Sequence, residues 1–143
     1  MKIEVNYMEV EIRLMKDEEL NQVASLVQNN FQYNVSSVAM DSRDFSIVAV
    51  INQEIVGQIL VHPIIDPFLN RVQYYLQDIC VDSKYRGQGI ASKLIRYVFH
   101  LAEKNHIFRI FLTSSKSRIE AQMLYKKLGF YERESDVFAK DFN

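Results

Sequence analysis

Residues 84 to 93 read KYRGQGIASK, and they place two of the chain's four glycines one residue apart, directly ahead of a helical pattern. A helix leaves its first four backbone N–H groups without intrahelical partners, and Ser, Thr, Asp or Asn at the N-cap usually satisfies one of them. Here Arg86, Gly87, Gln88 and Gly89 stand at the start, so no strong capping side chain is in place. Glycines let the backbone turn tightly and come close to another group. The expected result is a row of bare N–H groups at the positive end of a helix dipole with a guanidinium beside it, which suits a phosphate. A plain strand-to-helix turn capped by water is the competing reading, and the local pattern leaves both open. Two common phosphate motifs fit badly. A Walker loop ends in Gly-Lys-Ser/Thr where this chain has Gly89-Ile90-Ala91. A dinucleotide fingerprint needs a third glycine and belongs in a first βαβ unit.

Outward from this stretch, Ile90, Leu94 and Leu101 with Ala91, Ile95, Val98 and Ala102 recur at helical spacing, and Lys93, Arg96, His100 and Lys104 occupy the other face. Upstream, VQYYLQDICVD (72–82) is rich in aromatic and β-branched residues and predicts a strand. FSIVAVI (45–51) and EIVGQILVHPI (54–64) predict two more, joined through Asn52-Gln53 and closed by Pro63 and Pro67. Alternation in MEVEIRLM (8–15) predicts a first strand, and Asp17 opens a helix with Leu20, Val23, Ala24 and Val27 on one face. Residues 30–43 are irregular, with room for a short helix and a loop. Downstream, IFRIFLT (107–113) predicts a strand and SRIEAQMLYKKL (117–128) a helix, and the tail to Phe142 is expected to be mostly strand. The order is βα, three strands, then αβαβ: an α/β protein with a mixed sheet and helices on its faces, in a single domain over 1–143.

Composition narrows the function classes. A hydrophobic content of 48% with 24% charged residues suits a globular domain long enough to bury a core. A formal charge of −1 argues against an electrostatic nucleic-acid binder. The single cysteine, Cys80, excludes an internal disulfide and fits a reducing compartment. No apolar run reaches the length of a membrane span, and the start has no signal-peptide core. A cytoplasmic protein without a membrane partner is expected, and Asn34-Val35-Ser36 is read as a chance glycosylation match. No Cys/His/carboxylate cluster has metal-ligand spacing, so no metal is expected.

A second segment carries chemistry. Ser117 followed by Glu120 spells a capping box, so this helix is expected to cap itself where the earlier one does not. Ala121, Leu124 and Leu128 form its buried face with Tyr125 on the same side, and Gly129 with Phe130 predicts a Schellman ending. Taken alone, Tyr125 reads as a core tyrosine.

The two segments together resemble a known family. Arg86-Gly87-Gln88-Gly89-Ile90-Ala91 is similar to the pyrophosphate motif R/Q-x-x-G-x-G/A of the GCN5-related N-acetyltransferases, the GNAT family, and Ala121-Gln122-Met123-Leu124-Tyr125-Lys126-Lys127-Leu128-Gly129-Phe130 to its later A-x-x-x-Y-x-x-x-G-F. Order and spacing agree, and the element order covers nearly the whole chain. The resemblance implies an acyl-CoA N-acyltransferase fold and acetyl-CoA as co-substrate. The pyrophosphate would lie on residues 86–89 with Ile90, Ala91 and Ser92 opening the helix, and the pantetheine arm along Ile79, Cys80 and Val81. Arg118, Ala121 and Leu124 would complete the cofactor contacts, with Arg118 or a lysine near a phosphate.

It also implies that Tyr125 points at the thioester sulfur, where a phenol can protonate a departing thiolate of similar basicity. Asp78 is the candidate to relieve the incoming amine of its proton; alternatively it binds the ammonium or bonds backbone groups in a turn. Cys80 is read as a small buried residue, because the family transfers the acetyl group directly in a ternary complex. His62 is given an edge-of-sheet structural role, and His100 and His106 are surface residues. Two departures touch the acceptor: Arg118 stands where many members have asparagine, and Gln77 precedes Asp78 where Glu is frequent. Both are closer to the aminoalkylphosphonate N-acetyltransferases, so a small-molecule amine is the expected acceptor. A protein or peptide N-acetyltransferase and a non-catalytic acyl-CoA-binding module are the alternatives, and a monomer and a homodimer fit equally.

Overall fold

The structure, a computed structural model, describes residues 9–35 and 38–142. Met8 of the expected first strand and Ser36 of the glycosylation match lie outside the described residues. The chain divides into a larger compact unit through Thr113 and a smaller one from Ser114.

The larger unit holds a five-stranded sheet in the order β1 (Glu11–Leu14), β2 (Phe45–Ile51), β3 (Glu54–Asp66), β4 (Arg71–Val81), β5 (Arg109–Leu112). The first four strands run antiparallel to their neighbours, and β5 is parallel to β4. A parallel pair needs a crossover, which α2 (Ile90–Lys104) supplies; α1 (Leu20–Phe31) lies between β1 and β2 in the chain. The sheet is mixed, as its pattern predicts. Asn52 and Gln53 both take positive φ (49° and 66°), the two-residue turn whose twist matches flanking strands.

The two helices cover opposite faces. Val23 of α1 packs with Val48, Val50 and Ile55, and Leu26, Val27 and Met15 close around them. On the other face lies Gly57, paired with Ala49. A Cβ on Gly57 would meet Leu94 at 3.3 Å and the Cys80 carbonyl at 3.2 Å, so the missing side chain is what lets α2 approach the sheet. Ile90, Leu94, Ile95 and Val98 of α2 are fully or almost fully buried, each contributing about 1.5–3 kcal/mol of hydrophobic stabilisation. That seating fixes where the start of α2 stands.

Several boundaries differ from the sequence expectation. A 3₁₀ turn over Asp17–Glu19 precedes α1, so the α-helix itself starts at Leu20. Pro63 does not close β3 but lies inside it, opposite Tyr74. The β2 ladder ends at Phe45↔Val61, so beyond Val61 that edge of β3 asks for no N–H donor and a proline is tolerated.

In the smaller unit, α3 (Ile119–Lys127) is followed by residues 131–142, which form no strand among the described residues. The expected tail strand is therefore corrected. Glu132, Arg133, Glu134 and Asp136 break any alternation that could build one apolar face, and Tyr131, Val137, Phe138 and Phe142 are exposed.

Candidate active site

The strand that sequence analysis placed beside the glycine pair is irregular at the residue singled out there. Gln58 pairs with Cys80 and Leu60 with Gln77, so Asp78 and Ile79 share a single opposite residue: β4 carries a bulge. Asp78 has φ +55°, a left-handed conformation that aspartate tolerates better than most side chains. The last β4–β5 pair is Leu76↔Leu112, so residues 77–81 run on without a β5 partner. The two parallel strands thus part at the bulge, at the carboxyl end of β4, where open α/β sheets bind ligands.

A polar chain inside the sheet supports the bulge. Gln58 is 1% exposed; its amide N–H donates to the Asp78 carbonyl, and its Oε1 accepts from Ser46 Oγ at 3.1 Å. A buried carboxamide left unpaired costs about 1–3 kcal/mol, so this network belongs to the bulged conformation. Burial raises the Asp78 carboxyl above the ordinary carboxylate range, with His62 opposing. Cys80 is buried, and desolvation together with the Asp78 charge pushes its thiol up to about 12, so it stays protonated.

The face of the sheet that carries Gln58 also carries a group that sequence reasoning set aside. His62 Nδ1 lies 2.8 Å from Asp44 Oδ2 and its Nε2 lies 2.7 Å from Gln77 Oε1. The ring stacks on Tyr75 at 5.8 Å, and Tyr75 stacks on Phe111 at 5.1 Å. The signal was available in the hairpin: counting back from the turn after Asp66 puts His62 opposite Tyr75 and diagonal to Gln77.

Past Val81, Asp82 caps a short 3₁₀ turn by accepting from the Lys84 N–H at 2.9 Å. Gly87 and Gly89 then take φ +76° and +78°, and α2 begins with no side-chain cap. A Cβ on Gly89 would meet nothing within 4 Å, so the space before the helix is open. Arg86 is held from behind: its Nε donates to the Val81 carbonyl at 3.1 Å and its Nη2 to Asn30 Oδ1 at 2.7 Å. A cavity of about 190 Å³ beside it is lined by Leu26, Asn29, Asn30, Asp82, Ser83 and Arg86. Asn30, which ties α1 to this turn, carried no sequence signal. Asp78, Ile79, Cys80, Val81 and residues 86–92 are thus joined by one strand end and the helix start that follows it.

The smaller unit holds Tyr125, Arg118, Ala121 and Leu124. Ala121, Leu124, Tyr125 and Leu128 are the partly buried face of α3, as their spacing predicts. The C-terminus is a Schellman ending: Phe130 N–H donates to the Tyr125 carbonyl at 3.0 Å and Gly129 N–H to that of Lys126 at 3.1 Å. The Phe130 ring meets Tyr125 edge-on at 5.9 Å. Burial raises the Tyr125 phenol, and Arg118 opposes.

The expected capping box is absent. Arg118 is the N-cap residue, and Ser117 Oγ bonds Ser115 Oγ at 2.8 Å instead. The helix starts one residue later than the box requires, and Ser115 organises the turn, its carbonyl accepting from Arg118 N–H and from the Gln122 amide. Among the described residues no group of three or more His, Cys, Asp or Glu could hold a metal, and no helix is long and apolar enough to cross a membrane.

Comparison with known proteins adds to this geometry. Solved structures with the same fold include an aminoglycoside acetyltransferase from an uncultured soil metagenomic sample (TM-score 0.82, 19% identity, covering 97% of this chain and 99% of that one). A ribosomal-protein-alanine N-acetyltransferase from Brucella melitensis biovar Abortus 2308 is similar at TM-score 0.81 and 18% identity, covering 94% and 100%. In sequence, the chain is 33% identical to N-acetyltransferase 8B of Homo sapiens over 91 residues, 64% of this chain and 40% of that protein. It is 36% identical to N-acetyltransferase 8B of Mus musculus over 83 residues, 58% and 36% respectively. The matched stretch spans well under two thirds of these relatives. Residues 10–130 match the sequence profile of the acetyltransferase (GNAT) family, taking in both the glycine turn and the Tyr125 helix, and the chain belongs to that family.

Proposed function

We propose that the protein is an acetyl-CoA-dependent N-acetyltransferase that moves the acetyl group directly to the amine of a small molecule within a ternary complex. The observation that carries this reading is the continuous path from the bulge at Asp78, along a strand end with no β5 partner, to an uncapped helix start behind two left-handed glycines. The residues fit acetyl-CoA. Amide groups at 87–90 and the dipole of α2 suit the pyrophosphate, with Arg86 beside them and Ala91 and Ser92 in the first turn. Ile79, Cys80 and Val81 offer backbone groups to the pantetheine amides, and an N–H there would stabilise charge developing on the thioester oxygen. Arg118, Ala121 and Leu124 are assigned to the same co-substrate.

Asp78 takes the proton of the incoming ammonium; its raised proton affinity brings it closer to that of an amine than an exposed carboxylate would be. The amine attacks and the C–N bond forms; as the C–S bond breaks, Tyr125 gives its phenolic proton to the departing thiolate. The remaining surplus proton on the nitrogen leaves through water and restores the phenol, so the products are the amide and the free thiol. Because burial raises the phenol, it is still protonated when it is needed. Removal of such an acid costs about 10²–10⁴-fold. Tyr125→Phe is therefore expected to lower turnover at least a hundredfold, read as thiol release, while acetyl-CoA still raises the melting temperature as in the parent. Unchanged turnover would remove Tyr125 from the chemistry. An acceptor screen that includes a peptide with a free N-terminus separates the small-amine reading from a peptide one.

A further inference from the structure

The tether between Asn30 and Arg86 goes beyond these assignments and rests on the acetyl-CoA reading above. Asn30 lies in the last turn of α1, a turn with no basic residue of its own, and Arg86 reaches it from 56 residues further along the chain. Two neighbours fix the orientation of the Asn30 amide. Its Nδ2 donates to the Leu26 carbonyl at 2.9 Å, a group that only accepts, and its Oδ1 accepts from Arg86 Nη2 at 2.7 Å, a group that only donates. Turning the amide over would set oxygen against oxygen and N–H against N–H. The Val81 carbonyl holds Arg86 Nε in turn at 3.1 Å. The guanidinium therefore joins the end of β4 and the last turn of α1 to the glycine turn that Arg86 itself opens.

Both partners are neutral. Arg13, Arg43 and Arg71 pair with the carboxylates of Glu19, Asp41 and Asp66, whereas among the described residues Arg86 pairs with none. Asp82, the carboxylate that lines the same cavity, is turned to the Lys84 N–H instead. A guanidinium has five N–H donors; these bonds use two, and the charge and the other donors are left for an anion. We propose that Asn30 is a positioning residue for co-substrate binding, which holds the Arg86 guanidinium beside the pyrophosphate turn without neutralising it. A carboxylate in its place would grip the side chain as firmly and cancel the attraction that a pyrophosphate needs. The bond is exposed to water, so it adds little to the stability of the fold. What it does is restrict a side chain of high rotamer freedom before the anion arrives, so that less order has to be imposed on binding.

The test is a double-mutant cycle on acetyl-CoA affinity, measured by calorimetry with the full chain, and it needs no acceptor. Alanine suits a helix interior, so Asn30→Ala keeps α1. It should weaken acetyl-CoA about tenfold, and Arg86→Ala should weaken it at least as much. In the Arg86→Ala background the same Asn30 change should cost less than about twofold, because its route to the pyrophosphate is gone. A tenfold loss in both backgrounds would mark Asn30 as structural and overturn the inference, as would no loss in the parent background. Asn30→Asp separates position from charge. It still offers Arg86 an oxygen but neutralises it, so at low salt acetyl-CoA should bind about tenfold more weakly than to the parent, and the gap should narrow at high salt. Parental affinity in Asn30→Asp also overturns the inference. If the parent itself binds no acetyl-CoA, the co-substrate reading fails and this inference fails with it; parental binding with additive losses defeats the inference alone.

Discussion

At the 3₁₀ turn that leads into α1 a carboxylate of the chain itself takes the N-cap N–H; at the start of α2 no side chain caps the helix. Glu19 accepts from the Lys16 N–H at 2.8 Å, and its two oxygens accept from Arg13 Nη1 and Nη2, each at 2.8 Å. The Arg13 hydrogen bonds are the largest influence holding its carboxyl down at about 2. Gly89 at the second start offers no side chain and faces open space. Both sites present N–H groups and the same sign of helix dipole. One is satisfied from within, which serves stability; the other is left for an anion from outside, which serves binding.

The comparison can be broken by closing the open start. Gly89→Val places a β-branched side chain at φ +78°, where an L-residue costs about 1–2 kcal/mol. Acetyl-CoA affinity measured by calorimetry should fall about a hundredfold; a loss of less than threefold would show that this start does not hold the co-substrate. Giving α2 an internal anion is gentler. Gln88→Glu should weaken acetyl-CoA about tenfold at low salt and less at high salt, since the added charge is exposed and screened.

The reverse operation on α1 should touch stability alone. Glu19→Gln is expected to cost about 1 kcal/mol in urea unfolding at pH 7 and to leave acetyl-CoA affinity unchanged. Because the folded-state value of Glu19 is lowered, its contribution is present above the ordinary value of 4.5 and is lost as the pH falls toward about 2. Parent and variant should converge there. The smallest effect is expected at the bulge. Asp78 is raised in the fold, so its charge opposes folding at neutral pH. Asp78→Asn keeps a side chain that tolerates positive φ and should gain a few tenths of a kcal/mol while transfer activity falls.

How far the sequence could be read follows the range of the interactions involved. β2 was legible to the residue because FSIVAVI is a continuous apolar run between turn residues. The faces of α2 and α3 followed from spacing, and the ending at Gly129-Phe130 from a local backbone need. Ser117 misled because three nearby serines compete for one helix start, and only the geometry decides that Ser115 prevails. Asn30 was missed for another reason: its partner Arg86 is close only once α1 and the turn before α2 are assembled, whereas the β3–β4 hairpin register already brings His62 near Gln77 and only Asp44 awaits the pairing of β2. The bulge itself has no sequence signature beyond an aspartate where its conformation is tolerable.

The Ser46–Gln58–Asp78 chain also bears on the order of folding. Its two links span 12 and 20 residues and join β2, β3 and β4. These strands form an antiparallel meander that asks for neither the α2 crossover nor the parallel pairing of β5. Short-range pairings of this kind close with less loss of chain entropy than a crossover does. The kink at Asp78 is therefore written into the early, local part of assembly, and later elements dock onto a groove whose shape has already been set.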